Sequence, residues 1–278
     1  MHHLHTRPPA HAAFTLVEVA IVLVIIGLLI GGIMTGQTLI RQSQLSGVTK
    51  EIGTYTNAVN LFKLEFKALP GDFAKATDYW GVADDNQVAC ATTPSTGQIT
   101  TCNGNGDGRI NGEGYASPDG VIPSRFETYR AWQHLANAKL IDGSYSGIVG
   151  PAHTVRASVP ETNVPPGKVS GSSFDFYYIG AISNNANGNF FSGSYGNLLI
   201  FGNSLGGTDI SIRPALMPEE AQSIDQKLDD GMPGTGALLV PKNGSMWTNT
   251  CSTTDDPADS VYNLANETRQ CALLRILQ

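Results

Sequence analysis

The chain has 278 residues, of which 41% are hydrophobic and 15% charged, and its formal net charge is −7. That is material for one sizeable core or for a small domain with an extension, and an acidic balance with scattered Lys and Arg excludes a nucleic-acid-binding face. The four cysteines form two local pairs without C-x-x-C spacing, which excludes the usual zinc and redox arrangements and points to two disulfides, Cys90–Cys102 and Cys251–Cys271, in an oxidising compartment.

Residues 1–13 read as a short polar leader with Arg7 and four histidines. The stretch FTLVEVAIVLVIIGLLIGG, from Phe14 to Gly32, then opens a long apolar run. No charged residue occurs from Val19 to Ile40, and Arg41 closes the run. At about 1.5 Å per residue this spans the roughly 30 Å of a bilayer core, so it predicts a transmembrane helix. A secretory signal peptide carries its small-residue cleavage site after the apolar region. Here Ala12 and Ala13 precede it, so cleavage there would remove the leader and keep the helix. Thr15-x-x-Glu18 has the spacing of a capping box, with Glu18 accepting from the Thr15 N–H. Gly27, Gly31, Gly32 and Gly36 give two G-x-x-x-G spacings, which let helices approach closely.

Beyond Arg41, apolar residues recur at Leu45, Val48, Ile52, Tyr55, Val59, Phe62 and Phe66. Steps alternating between three and four predict an amphipathic stripe on the same helix, packed against a head. The helix is expected from about Phe14 to Lys67, roughly 80 Å long at 1.5 Å per residue, and Pro70-Gly71 ends it. In the head, 124–140 reads as a helix with Trp132 and Leu135 inward. Residues 174–179 and 197–201 read as strands rich in aromatic and branched side chains. Residues 218–228 read as a short helix, and 271–277 as a closing strand tied back by Cys251. The expected fold class is α+β: a long N-terminal helix on an antiparallel sheet with long loops.

Three patterns carry candidate chemistry. Asn103, Asn105, Asp107, Gly108 and Arg109 follow the first seven positions of an EF-hand loop, Arg109 supplying its carbonyl, and Ile110 takes the apolar position. Glu113 stands one residue before the place of the final carboxylate. The loop is therefore a candidate for weak Ca2+ binding, with a Gly/Asn turn cluster tied by Cys102 as the alternative. Asp225, Asp229 and Asp230 form a second acidic group, readable as a metal site or as a solvated helix end. Gly202-Asn203-Ser204-Leu205-Gly206 matches G-x-S-x-G, but Gly207 and Pro214 argue against the helix that must follow, and no histidine follows Ser204. No coherent catalytic set emerges, so no enzyme is expected.

Ala13-Phe14-Thr15-Leu16-Val17-Glu18, followed by the uninterrupted apolar helix, resembles the prepilin cleavage and methylation motif of type IV pilins and type II secretion pseudopilins. Where that family usually has Gly before the cut, this chain has Ala13. The resemblance implies that prepilin peptidase cuts between Ala13 and Phe14 and that Phe14 is N-methylated. It assigns Glu18 to pair with the terminal amine of a neighbouring subunit. It further implies four regions: a leader at 1–13, a transmembrane and filament-core helix at 14–40, its amphipathic half at 41–67, and a pilin-like head at 68–278. Ala68-Leu69-Pro70-Gly71-Asp72, Tyr79-Trp80-Gly81, Trp132-Gln133-His134-Leu135 and the 216–236 stretch resemble a subgroup of prepilin-like proteins.

The implied partners are copies of itself or other pilins in a helical filament, prepilin peptidase, an inner-membrane assembly platform and membrane lipid, with no nucleic acid. The implied location is the inner membrane, single-pass with the head in the periplasm, and then a periplasmic or extracellular filament. No cofactor is required, Ca2+ apart. The competing expectation is a membrane-anchored module that binds calcium or carbohydrate without polymerising.

Overall fold

The computed structural model describes residues 15–83, 99–111, 126–148, 158–183, 188–204, 210–242, 244–245 and 250–277. The chain divides into two compact units, Met1–Ser43 and Gln44–Gln278. One helix, α1, runs Leu16–Phe66 and contributes to both. It has no proline, and its two halves solve different problems.

In the first unit, no residue of α1 is buried. Leu16, Leu28 and Met34 are 86%, 74% and 66% exposed. An 18-residue window of α1 has a mean hydropathy of 2.9, so the helix is long and apolar enough to cross a membrane. Two of its hydroxyls bond back to the helix. Thr35 Oγ1 donates to the Gly31 carbonyl at 3.0 Å, and Thr38 Oγ1 to that of Met34 at 3.2 Å. Hydroxyls satisfied within the helix are compatible with lipid.

In the second unit, the stripe becomes core. Val48, Ile52, Val59 and Phe62 are buried at 2% exposure or less. They share a core cluster with a four-stranded antiparallel sheet of order β1-β2-β4-β3, made of β1 (Ser172–Ile182), β2 (Gly193–Asn203), β3 (Leu238–Leu239) and β4 (Leu273–Leu277). Phe174 pairs with Phe201 and Phe176 with Leu199, and Phe201 pairs in turn with Leu273. Those side chains face the cluster that holds α1. The alternate residues Leu198, Ile200 and Leu274 face a second cluster with Tyr195, Ile210 and Ile212. Burial on both faces explains why Leu198-Leu199-Ile200-Phe201 reads as a continuous apolar run.

Among the described residues the head has three shorter helices: α2 (Ala76–Trp80), α3 (Phe126–Asn137) and α4 (Pro218–Leu228). Trp132 and Leu135 of α3 point inward as predicted, both at 0% exposure. Trp132 stacks on Phe176 at 4.2 Å between centroids. Tyr55 meets Trp132 and Phe174 edge-on at 5.1 and 4.9 Å, so one tyrosine joins α1, α3 and β1. Truncating an aromatic packed this way costs about 3–5 kcal/mol.

The helix predicted at 124–140 is shorter at its C-terminal end, where Lys139 takes a positive φ of 59°. The closing strand predicted from Cys271 begins at Leu273, because Cys271 pairs with Leu216 instead. Strands β1 and β2 extend past the predicted apolar runs, and α2 was not expected.

Candidate functional site

The first site is the start of α1. Thr15 N–H and Thr15 Oγ1 both donate to Glu18 Oε2 at 2.8 Å, and Glu18 N–H donates to Thr15 Oγ1 at 3.3 Å. This is the reciprocal capping box expected from the spacing. It holds the only acid of the apolar segment against the helix start. The predicted cleavage and methylation positions, Ala13 and Phe14, lie outside the described residues. A Cβ added at Gly27, Gly31, Gly32 or Gly36 meets nothing within 4 Å. None of these glycines is therefore required by packing within the chain.

Residues 9–34 match the family model for the prokaryotic N-terminal methylation motif. The chain carries the prepilin-type signal of type IV pilins and pseudopilins. That signal marks a structural class that is usually non-enzymatic, and with the apolar helix it fits membrane anchoring. Comparison with the curated proteins and with the solved structures found no match.

The second site is the 103–111 loop of the head. Its predicted ligand atoms are engaged locally. Asn103 Oδ1 accepts the Thr77 N–H at 2.9 Å, Asn105 Oδ1 accepts the Asp107 N–H at 2.9 Å, and Asp107 Oδ1 accepts the Arg109 N–H at 2.9 Å. The last two are i to i+2 bonds from an Asn or Asp side chain, which shape a turn. The Arg109 guanidinium lies over the Tyr178 ring at 4.9 Å. Glu113 lies outside the described residues.

The carboxylates that meet Asp107 are Asp72 and Glu127, and ligand oxygens of the three lie within 4.8 Å of one another. Neither was singled out as a site residue from the sequence. Asp72 accepts the Asp107 and Gly108 N–H groups at 3.0 and 2.8 Å. Glu127 accepts those of Asn105 and Asn111 at 2.9 and 3.1 Å. Asn197 of β2 completes the clamp, accepting the Ile110 N–H at 2.7 Å and donating to the Gly108 carbonyl at 3.0 Å. Burial pushes the Glu127 carboxyl up to about 8, against those two amides, and the charges of Asp72 and Asp107 add to the rise. Burial likewise raises Asp72. Chemically the trio offers oxygen donors of the kind a hard cation takes. Its geometry is also accounted for as a loop laced by backbone amides.

Beside it lies a buried polar chain. His134 Nδ1 accepts the Gly71 N–H at 3.0 Å, so the ring hydrogen sits on Nε2, 3.0 Å from Thr101 Oγ1. Thr101 Oγ1 donates to Gln133 Oε1 at 2.6 Å, which also receives Arg130 Nη1 at 2.8 Å. Burial, aided by the Arg130 charge, depresses the His134 imidazole to about 3. A histidine held neutral this firmly is a structural strut.

The predicted Cys251–Cys271 disulfide is present, with Cα atoms 5.1 Å apart. Cys102 is disulfide-bonded, and Cys90 lies outside the described residues. Asp225 is wholly buried, and its Oδ2 accepts the Tyr262 hydroxyl at 2.8 Å. Burial pushes its carboxyl up to about 7, opposed by that hydroxyl and by the Gly231 backbone and reinforced by the charges of Asp230 and Asp229.

Proposed function

We propose that this chain is a structural subunit, a pilin or pseudopilin, of a type IV pilus or type II secretion filament. Prepilin peptidase removes residues 1–13 at the Ala13–Phe14 bond, Phe14 is N-methylated, and the subunit waits in the inner membrane with its head in the periplasm. Assembly moves the apolar part of α1 from lipid into a filament core. Glu18 fixes the register by pairing with the terminal amine of a neighbouring copy. An ion pair in a low-dielectric core is attractive, whereas a lone buried carboxylate is penalised.

The observation that carries this reading is the first half of α1 together with its motif. It presents apolar side chains on every face and glycines that nothing in the chain fills. It also carries the methylation motif at 9–34. An ordinary anchor needs the first of these properties but not the other two. Mass spectrometry of the mature N-terminus tests the reading. The expected species begins at a methylated Phe14, and a chain that keeps residues 1–13 in cells with active prepilin peptidase overturns it. A processed Glu18→Ala chain should remain in the membrane unassembled. If it polymerises like wild type, the anchored, non-polymerising binding module is the better account.

A further inference from the structure

The end of α4 gathers three carboxylates: Asp225 in its last turn, Asp229 as its C-cap, and Asp230 next. Their ligand oxygens lie within 4.8 Å of one another. Like charges at that spacing repel, and a helix C-terminus adds the negative end of its dipole. Among the described residues no lysine or arginine is ion-paired with any of the three. The head's described pairs are Lys168–Glu51 and Lys242–Asp255.

The loop satisfies part of this charge. Asp229 Oδ2 accepts the Leu238 N–H at 2.9 Å and also that of Ala237. Asp230 accepts the Met232 N–H at 2.9 Å and the Thr235 hydroxyl at 2.7 Å. Asp225 is different. It is at 0% exposure, and its Oδ1 is buried without a hydrogen-bond partner while Oδ2 takes Tyr262. The clamp on the 103–111 loop contrasts with it, since each oxygen of Asp72 and Glu127 receives a backbone amide. A buried carboxylate oxygen with no donor is strongly disfavoured, and a shared cation relieves it and its two neighbours together.

We infer that Asp225, Asp229 and Asp230 form a binding site for a hard divalent cation of the Ca2+ class. The donors are all carboxylate oxygens. Calcium takes six to eight such ligands without strict geometry, whereas magnesium demands an octahedron. The ion has a structural consequence. Asp229 also holds the amide of Leu238, the first residue of β3, so fixing that carboxylate fixes the entry of β3 into the sheet. The inference does not depend on the filament reading.

The test is calorimetric titration of calcium chloride into the chelator-stripped, full-length protein in detergent. Saturable binding in the range of about 10⁻⁴–10⁻³ M or tighter is expected, with a rise in the thermal midpoint of the head. Asp230→Asn, at an exposed position, and Asp225→Asn, which keeps an acceptor for Tyr262, should each weaken binding about tenfold or more. Asp107→Asn, in the other acidic group, should leave it unchanged. Three results overturn the site: no saturable binding up to about 10 mM, binding that survives both Asp225→Asn and Asp230→Asn, or binding lost with Asp107→Asn.

Discussion

Gly36 and Gly47 lie on one helix, yet they answer to different constraints. A Cβ at Gly36 meets nothing within 4 Å, whereas one at Gly47 would sit 2.6 Å from Lys168 Cγ. The same contrast runs through both units. In residues 16–43 the chain places no demand on its own small residues and buries none of its apolar ones. In the head, Gly71 has a φ of +84° and a Cβ there would run into the Glu127 carbonyl, while Val48, Val59 and Phe62 have no exposure at all. Apolar surface in the head is already used for folding. In the first half of α1 it is held in reserve for lipid or for another molecule.

Substitutions should therefore separate cleanly between the two regions. The largest effect is expected from Glu18→Ala. Leaving one partner of a buried ion pair alone costs about 3–5 kcal/mol, so assembled filament should fall to background while the melting of the detergent-solubilised head does not move. Acid should act on the head instead, through His134. His134 sits at about 3 when folded, against 6.5 when free. Between those values the unfolded chain binds the proton and the folded one does not. The stability contributed above pH 6.5 is therefore lost progressively as pH falls towards 3. The raised carboxyls of Glu127 and Asp225 act in the opposite sense over the same range, so denaturant titrations at several pH values should reveal the His134 contribution as the difference in slope between wild type and His134→Gln.

Next in size is the pair Cys251 and Cys271. Opening a loop of this length costs about 2–5 kcal/mol, readable as a lower thermal midpoint of the Cys251→Ala, Cys271→Ala head. The smallest and most diagnostic test is a matched pair of glycines. Gly71→Ala, strained by φ and by the Glu127 carbonyl, should destabilise the head by about 1–3 kcal/mol. Gly31→Ala should strengthen its helix by about 1 kcal/mol, leave the head's melting unchanged, and weaken assembly through the added methyl group. A head that responds to Gly31→Ala would break the comparison.

Legibility in the sequence followed the range of the interactions. The capping box at Thr15 and Glu18 is local, so its spacing announced it. The 218–228 helix was readable to its ends, because Pro218 opens it and Glu220 reaches back to the Met217 N–H at 2.9 Å. The stripe from Leu45 to Phe66 was readable from period alone. The strands were seen only where apolar. Their outer residues, such as Ser172 and Gly193, are in strands because Asn203 and Ile182 stand opposite them. Two-residue β3 has no period to read. The 103–111 loop was recognised, but its carboxylate partners were not: Asp72 lies 35 residues before Asp107, and Glu127 lies 22 after Asn105. No spacing rule joins residues that only the fold brings together.

The strand order has a consequence for how the head is completed. Strand β4 comes last in sequence but occupies an interior place, between β2 and β3. Until residues 273–277 are in place, β2 has a vacant edge and β3 has nothing to join. The sheet cannot be finished progressively as the chain emerges. Any subunit stalled or clipped before that point presents an open strand edge, which is the kind of surface that chaperones hold and proteases cut.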